Sequence, residues 1–249
     1  METKINMKKL YRQLAVLSDK GIAAFERCCL GPVVFEDHDE LNTGYYLREQ
    51  NIATIGPLGE ICVSQEYSQM YNEGIKSELF EAYRKRASWV HRCTTWCDYM
   101  YTYFHKSMLL KLINMNMKMD ENEMIDIFRK FPRGISTREY GDWFIPDINE
   151  SDYEEIMDNI EKQKTADYYI PTVNEIDEYY HKGFLFSKDY AQNLYNFLIN
   201  VSSNEDEVYG ICFDCWFEFQ LGKDIDFMMD EIFRFYPMLK KEKDKVHEL

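Results

Sequence analysis

Proline, glycine and long apolar runs are scarce in this chain of 249 residues. Six Pro and eleven Gly exclude collagen-like and linker-dominated proteins, which are rich in these residues. The longest apolar runs, such as Met108 to Leu110, cover only a few residues, whereas a membrane-spanning helix needs about 20. We therefore expect no transmembrane segment. Because 45% of the residues are hydrophobic, the composition is that of a folded globular protein with one large domain or two small ones.

The sequence also lacks an export signal and the signatures of several common enzyme classes. Its first residues are charged and contain no apolar core followed by a cleavage site, so we expect a cytoplasmic protein. Seven cysteines, an odd number, are then expected to be reduced thiols rather than a disulfide framework. No Gly-rich phosphate loop, nucleophile elbow, zinc-protease helix or kinase motif is present. These absences favour a non-enzymatic protein without a cofactor, with one ribonuclease alternative that is described below.

Acidic residues are concentrated in the C-terminal part of the chain. Residues 1–140 carry 19 acidic and 19 basic side chains, whereas residues 141–249 carry 25 acidic and 10 basic ones, which accounts for the whole net charge of −15. Such a surface repels nucleic acids and anionic membranes and attracts cations. We therefore expect a basic protein surface as the partner and no binding to nucleic acid or membrane, while the oligomeric state stays open. The alternative is that the acids only solvate helix faces.

The densest acidic segment, residues 147–178, is the first place to expect such a partner. It carries eleven carboxylates and only two cations, Lys162 and Lys164. Self-repulsion of that size is a cost to folding, and steering of a cationic partner is a reason to tolerate it. The partner-binding candidates are Glu150, Asp152, Glu154, Glu155, Asp158 and Glu161. Tyrosines in or beside this segment either anchor the interface or belong to the core, and they are Tyr153, Tyr168, Tyr169, Tyr179 and Tyr180.

Helix boundaries are well marked from residue 120 onward. Five cap residues are each followed three positions later by an acid, an arrangement that satisfies free backbone N–H groups at a helix start. The pairs are Asp120 with Glu123, Ser136 with Glu139, Ser151 with Glu154, Thr172 with Glu175 and Ser203 with Asp206. Helix ends are predicted before Gly183 and Pro237. The segments between these signals are predicted to be helices with one apolar face.

Residues 77–116 carry two apolar stripes at helical spacing, which predicts one long central helix that is buried on two sides. The chain as a whole is predicted to be mostly α, a multi-helix protein with a small α+β part at its N-terminus. We divide it into residues 1–76, residues 77–140 and residues 141–249, the last being an acidic helical domain.

The N-terminal part resembles a winged-helix domain. Helical patterns over about 8–30 and 40–49 precede extended runs at 52–55 and 60–63, and the turn Gly-Pro-Leu-Gly between these runs predicts a β-hairpin. The resemblance implies a transcriptional regulator as an alternative function. Carboxylates would then lie near DNA phosphates, so we expect no tight binding to DNA. These carboxylates precede the second helix and belong to Glu36, Asp37 and Asp39.

A second resemblance covers about 35 residues of the C-terminal part. The stretch from Asp167 to Ile176, continued through Gly183 to the run Phe197 to Asn200, resembles the helical region of a group of uncharacterised bacterial proteins. Members of that group often end in a zinc-binding SEC-C motif. No Cys follows Tyr236 in this chain, so the zinc motif is absent. The resemblance therefore implies a mostly helical fold and no role that depends on that motif.

Cys212 and Cys215 form a Cys-x-x-Cys pair, a spacing that is typical of zinc sites and of thiol exchange. The pair falls on an apolar helical stripe, so buried free thiols are the alternative, and we expect no bound zinc. A zinc ion would need two further ligands, for which the candidates are Cys93, Cys97, His91 and His105.

Arg84 and Arg86 precede His91 by seven and five positions, which matches the Arg-x(4–6)-His pattern of HEPN ribonucleases. In that family the two side chains lie at the scissile phosphate of RNA, so the resemblance implies Arg84, Arg86 and His91 as catalytic candidates. The polar residue that usually follows the Arg is missing, since Ala87 follows Arg86. The alternative is an acid-paired helix face. We rank protein binding first, as an adaptor, inhibitor or immunity-type protein, with a winged-helix regulator and a HEPN-like ribonuclease as alternatives.

Overall fold

The computed structural model describes residues 7–74, 77–132, 137–147, 153–165, 168–183, 185, 187–200, 204–220, 225–235 and 237. The chain divides into two compact units, Met1–Tyr169 and Ile170–Leu249. Within the described residues the fold is mostly helical, as the sequence predicts, with two small antiparallel sheets, of which only the N-terminal hairpin was predicted. None of the described helices is both long and apolar enough to cross a membrane. The predicted three-part division rests on composition and stays a prediction.

Within the described residues, unit 1 contains eight helices and five strands. The helices are α1 (Met7–Leu14), α2 (Asp19–Leu30), α3 (His38–Glu49), α4 (Gln65–Gly74), α5 (Glu78–Tyr101), α6 (Lys106–Ile113), α7 (Glu121–Phe128) and α8 (Tyr153–Lys164). The strands are β1 (Ala53–Ile55), β2 (Ile61–Val63), β3 (Phe104–His105), β4 (Thr137–Tyr140) and β5 (Trp143–Pro146). The described helices of unit 2 are α9 (Val173–Lys182), α10 (Asp189–Ile199), α11 (Glu205–Gln220) and α12 (Ile225–Phe235).

The predicted hairpin is present in the N-terminal part of unit 1. Strands β1 and β2 pair antiparallel, with Ile55 opposite Ile61. The turn between them contains Gly59 at a φ of 83°, a conformation that favours glycine. Val33 pairs with the other edge of β2 opposite Ile61. The hairpin shares a core with helices α1 to α4, in which Phe25 is fully buried. The order of helices and hairpin agrees with the sequence pattern, but the winged-helix resemblance is not confirmed.

Helix α5 is the central element of unit 1 and is buried on two sides, as predicted. Its first turn is capped by Ser77, whose side chain accepts a hydrogen bond from the Phe80 N–H at 3.2 Å. Apolar side chains at helical spacing then cover two faces of the helix, which explains the double stripe in the sequence. The buried residues are Phe80, Ala87, Val90, Thr94 and Cys97 on one stripe and Trp89, Cys93 and Trp96 on the other.

The prediction of one continuous helix over residues 77–116 is wrong. Helix α5 ends at Tyr101 because Thr102 adopts a φ of 62° and a ψ of −55°, and the Thr102 N–H donates to the Cys97 carbonyl. The chain then forms the short strand β3 and restarts as α6, which His105 caps with its Nδ1 as acceptor. Apolar residues are buried on both sides of this break. Hydrophobic periodicity alone therefore does not reveal it.

A helix start was predicted at Ser136 and Glu139, and this prediction is also wrong for the residues of the segment that the structure describes. Residues Thr137–Tyr140 form strand β4, in a sheet with the order β3–β5–β4. A two-residue turn containing Gly141 at a φ of 59° joins β4 to β5. Ser136 itself lies outside the described residues.

The Glu139 carboxylate has partners other than a helix start. It lies 2.6 Å from Arg129 Nε and 3.2 Å from Lys106 Nζ. Partial burial opposes its ionisation, but the hydrogen bonds from Arg129 and Lys106 outweigh that effect and lower the pKa of Glu139. Contacts from distant parts of the chain therefore hold the carboxylate on the sheet.

Two other predicted helix starts are confirmed. The Asp120 side chain accepts from the Glu123 N–H at 2.9 Å at the start of α7. Thr172 and Glu175 form a complete capping box at the start of α9. Helix α9 ends at Lys182, and Gly183 after it adopts the left-handed conformation with a φ of 79°. Helix α12 ends at Phe235, two residues before Pro237. Two predicted cap residues lie outside the described residues, Ser151 and Ser203.

The core of unit 2 is formed by facing stripes of α10, α11 and α12. The predicted stripe of α11 is buried in its described part, which confirms the helical spacing. The buried members of this core are Ala191 and Leu198 of α10, Val208, Ile211, Cys212 and Cys215 of α11, and Met229, Ile232 and Phe233 of α12.

Candidate functional site

The acidic candidates of unit 1 lie on α8, and packing orients this helix. Ile156 and Ile160, one turn apart, are buried in a small cluster with Tyr103 and Ile145. Residues three or four positions apart share a helix face, so this cluster determines which side of α8 points inward. The opposite side is therefore presented to solvent.

Three carboxylates form a line on that solvent side. Glu154, Asp158 and Glu161 follow one another at spacings of four and three residues, and we name them the acidic row. All three are exposed, and the side chains of Asp158 and Glu161 retain 68% and 61% of their accessible surface. The other predicted partner-binding residues lie outside the part of the chain that the structure describes, and they are Glu150, Asp152 and the side chain of Glu155.

Two members of the acidic row have lysine partners on the same helix. The Lys162 Nζ lies 2.7 Å from an Asp158 carboxylate oxygen, and the Lys164 Nζ lies 2.5 Å from a Glu161 carboxylate oxygen. The hydrogen bond to Asp158 raises the pKa of Lys162. Exposed pairs of this kind contribute little to stability, because water solvates both charges. Cations of a partner can therefore replace these lysines at little cost.

The order of charges along α8 also has a structural explanation. Glu154 lies in the first turn and the two lysines lie in the last turn, which complements the helix dipole at both ends. Part of the acidic row thus stabilises the helix that carries it. Asp158 and Glu161 lie beyond the first turn, where the dipole effect has fallen off.

Two acids of α9, Glu175 and Glu178, differ from the acidic row because their carboxylates bind groups within unit 2. Glu175 is buried, completes the capping box and pairs with Lys188. Glu178 accepts hydrogen bonds from the backbone and the hydroxyl of Ser187, and its side chain also lies 3.2 Å from Lys182. These two carboxylates hold the segment after α9 against the helix. The acidic segment of the sequence is therefore not one uniform surface.

One of the predicted tyrosine anchors is exposed. Tyr169 retains 49% exposure, and its ring centroid lies 6.3 Å from that of Trp96. The Tyr101 hydroxyl donates to the Tyr169 carbonyl at 2.5 Å, which fixes this segment on α5. Of the other predicted anchors, Tyr168 and Tyr180 are half-buried and Tyr179 is buried. The side chain of Tyr153 is not among those that the structure describes.

The two arginines of the ribonuclease pattern have separate partners within unit 1. Arg84 donates to the Leu17 carbonyl at 3.0 Å and to the Asp19 carboxylate. Arg86 forms a fork with both carboxylate oxygens of Glu123, at 2.5 and 2.6 Å, which ties α5 to α7. Both arginines thus hold the fold together, as the acid-paired alternative predicts. Their role in catalysis stays a prediction.

His91 lies two turns after Arg84 on α5 and packs against an aromatic ring. Its ring centroid is 5.1 Å from that of Phe131. Burial lowers the pKa of His91, and the charge of Arg92 lowers it further. The imidazole is therefore neutral at pH 7.

Cys212 and Cys215 are both buried on α11. Burial raises the pKa of Cys212 to about 12, so its thiol is protonated at neutral pH and is a poor nucleophile and a poor ligand. Cys93 and Cys97 are likewise buried on α5. In the part of the chain that the structure describes, no group of three or more His, Cys, Asp or Glu side chains is placed to hold a metal ion.

A cavity that the sequence patterns did not indicate lies on α3. The cavity of about 190 Å³ is lined by Asn42, Tyr45, Tyr46 and Glu49. These residues recur three and four apart, as on any helix face, so their spacing alone carries no signal. Only the structure shows that Tyr45 is 55% exposed beside a cavity.

Comparison with known proteins identifies no relative. No family model, curated protein or solved structure matches the chain. The resemblances to bacterial helical proteins with SEC-C motifs and to HEPN ribonucleases therefore stay predictions.

Proposed function

We propose that this protein is a non-enzymatic, cytoplasmic protein-binding module, an adaptor, inhibitor or immunity-type protein, whose acidic row contacts a basic surface of its partner. The observation that carries the proposal is the orientation of α8. Ile156 and Ile160 bury one side of the helix, and Glu154, Asp158 and Glu161 follow one another along the other.

The dimensions of the acidic row suit electrostatic recognition. Glu161 lies seven positions after Glu154, which corresponds to about 10 Å along the helix axis. The Debye length at physiological ionic strength is about 8 Å, so neighbouring carboxylates of the row act together on an approaching cation. Such a field speeds association and selects against acidic partners. Contact with a basic protein would exchange the intrahelical lysine pairs for partner cations.

Charge reversal tests the proposal. Partners are isolated from the native cytoplasm at low and at moderate salt, with the wild-type chain and with a variant in which Glu154, Glu155 and Asp158 are changed to Lys. The control variant changes three acids of the first turn of α11 to Lys, which alters the net charge equally and also opposes a helix dipole. The control residues are Glu205, Asp206 and Glu207.

A specific partner should be lost with the α8 variant and retained with the α11 control. Once that partner is purified, the α8 variant should associate more slowly and show a weaker dependence on salt. An unchanged set of partners with the α8 variant would contradict the proposal, and equal loss with both variants would indicate a general charge effect. Circular dichroism of both variants checks that each remains folded.

A winged-helix regulator is the second candidate function, and the hairpin after three helices favours it. The helix that would enter DNA, α3, exposes Asp39 and Glu49 as well as Arg48. Carboxylates at such positions oppose binding to phosphates. We therefore expect no submicromolar binding to duplex DNA when the full chain is titrated at two salt concentrations. Tight, salt-sensitive binding would favour the regulator over the protein-binding module.

The ribonuclease alternative has its own test. If His91 and the arginines of α5 form a HEPN-type site, the purified protein should cleave single-stranded RNA without added metal, and His91→Ala should abolish cleavage. We expect no cleavage by the wild-type protein.

A further inference from the structure

Helix α6 begins with a histidine as its capping residue. His105 has an extended backbone, with a φ of −76° and a ψ of 146°, and its side chain accepts a hydrogen bond at the helix start. The Nδ1 atom lies 3.1 Å from the Ser107 backbone nitrogen and 2.8 Å from the Ser107 hydroxyl oxygen. A backbone N–H can only donate, so Nδ1 is the acceptor. The neutral imidazole therefore carries its proton on Nε2.

The fold holds this ring in position. His105 pairs with Trp143 across strands β3 and β5, and the two rings meet edge to face with centroids 5.4 Å apart. The neighbouring Lys106 N–H donates to the Asp142 carbonyl at 2.9 Å. The imidazole is half-buried, so water still reaches it. The ring is thus fixed by its neighbours and accessible to protons.

No other side chain of the first turn can replace this cap. As the structure describes it, the first turn of α6 contains no acidic residue. It contains Lys106, whose charge opposes the helix dipole and is balanced by Glu139 at 3.2 Å. Protonation of Nδ1 would add a second positive charge and would turn the acceptor into a donor that faces the Ser107 N–H. Both effects act against the cap.

The charged groups of the surrounding elements mostly have partners of their own. They are Lys106 beside the ring, Arg138 and Glu139 on β4, Asp142 in the following turn, Asp98 on α5 and Arg129 after α7. Arg138 lies 4.0 Å from Asp147, Glu139 pairs with Arg129 and Lys106, and Asp98 accepts from the Thr137 hydroxyl. The acidic row lies on the side of α8 opposite Ile156 and Ile160, which pack in the cluster that Trp143 adjoins. Asp142 is the remaining carboxylate that a test must separate from His105.

We propose that His105 is a pH-sensitive switch at the start of α6, closed by the neutral imidazole and opened by its protonation. Histidine is the side chain whose charge ordinarily changes between about pH 5 and 8. The contribution of the cap is therefore present at about pH 7.5 and is lost as the pH falls toward about 5. Loss of a cap together with a new positive charge shifts the opening of the first turn about five- to tenfold. Leu109, Leu112 and Ile113 are buried and keep the rest of the helix in place.

Amide hydrogen exchange of the full-length protein, followed by nuclear magnetic resonance at about pH 7.5 and about pH 5, tests this switch. After correction for intrinsic exchange rates, the protection of the Ser107 amide should fall about five- to tenfold at the lower pH. The protection of the Leu112 amide should fall less. Equal losses at both positions would overturn the proposal, because they would show that the whole helix opens. Nitrogen-15 spectra of the His105 ring should show the proton on Nε2 at the higher pH, and a proton on Nδ1 there would refute the cap.

Variants identify the group that responds to pH. His105→Asn retains a capping side chain without a charge change, so it should keep the protection of Ser107 and lose the pH response. His105→Ala should show low protection at both pH values. The matched control is His38→Asn, which removes an exposed histidine from α3 and should retain the wild-type response.

Asp142→Asn separates the neighbouring carboxylate from the histidine. Because the Lys106 N–H binds the backbone carbonyl of Asp142, this variant keeps that contact and should also retain the response. A pH response that persists in His105→Asn, or one that disappears in Asp142→Asn, would overturn the proposal. Wild-type protection of Ser107 in His105→Ala at about pH 7.5 would show that the imidazole does not cap the helix.

Discussion

Replacing Gly74 with alanine tests how closely α4 packs against α1. Gly74 is the last residue of α4, and a Cβ at this position would overlap the Tyr11 hydroxyl. Tyr11 is only 1% exposed, and its ring centroid lies 5.3 Å from that of Phe80. The ring therefore has no free space into which it can turn, and either the ring or the helix end must shift.

The expected cost follows from two opposing effects. Overpacking of a dense core costs about 1–3 kcal/mol, whereas alanine is favoured over glycine in a helix by at most about 1 kcal/mol. We expect Gly74→Ala to lower the free energy of unfolding by about 1–2 kcal/mol. For a domain of this size, each kcal/mol lowers the melting temperature by about 2–4 °C.

Tyr11→Phe is the matched partner variant. The Tyr11 hydroxyl is buried, and no hydrogen-bond partner for it is present among the described residues. Its removal is therefore expected to be neutral or stabilising. In the Phe background the overlap is reduced but not abolished, because the ring carbon Cζ also lies close to the new Cβ. The cost of Gly74→Ala should then be smaller than in the wild-type protein.

Urea denaturation of the wild type, both single variants and the double variant measures this coupling, with circular dichroism as the signal. Wild-type stability of Gly74→Ala would refute the close packing. The same cost in both backgrounds would show that the Tyr11 hydroxyl is not the group that Gly74 accommodates.

Three further predictions concern other contacts. In a double-mutant cycle of Arg86→Met and Glu123→Gln, urea denaturation should give a coupling energy of about 1 kcal/mol, and zero coupling would mean that the fork does not stabilise unit 1. The free energy of unfolding should fall as the pH drops below about 6.5, because burial lowers the pKa of His91 in the folded state and the unfolded chain takes up the proton first. This pH-dependent loss should be smaller in His91→Gln, and identical pH profiles would contradict it. Thr172→Ala removes the capping box with Glu175 and should cost about 1 kcal/mol, with faster amide hydrogen exchange at the start of α9 and a milder effect of Thr172→Ser. Unchanged exchange in Thr172→Ala would show that the cap does not limit opening of this helix.

Elements stabilised by local contacts were predicted from the sequence. The capping box of Thr172 and Glu175 joins residues three positions apart, and Gly183 ends the same helix by its own backbone conformation. The hairpin turn at Gly59 is likewise encoded within four residues. In each case the partners that satisfy the backbone are neighbours in the chain, so the sequence shows them directly.

Elements that depend on distant contacts were not predicted. Glu139 follows Ser136 at capping spacing, yet its carboxylate pairs with Arg129 and Lys106, and its backbone pairs with β5. The break at Thr102 is invisible to periodicity because apolar residues are buried on both sides of it. Local pattern and tertiary contact compete at these positions, and tertiary contact decides.

The candidate surfaces show the same division. Composition alone determined that the C-terminal part is acidic, and the density of acids alone marked Glu154, Asp158 and Glu161 among the candidates. Only the tertiary structure placed this row in solvent while it buried Glu175 in a capping box. The cavity beside Tyr45 could not be predicted either, because the exposure of a side chain depends on which elements pack around it. Charge and periodicity are properties of the chain itself, whereas burial arises only when distant segments meet.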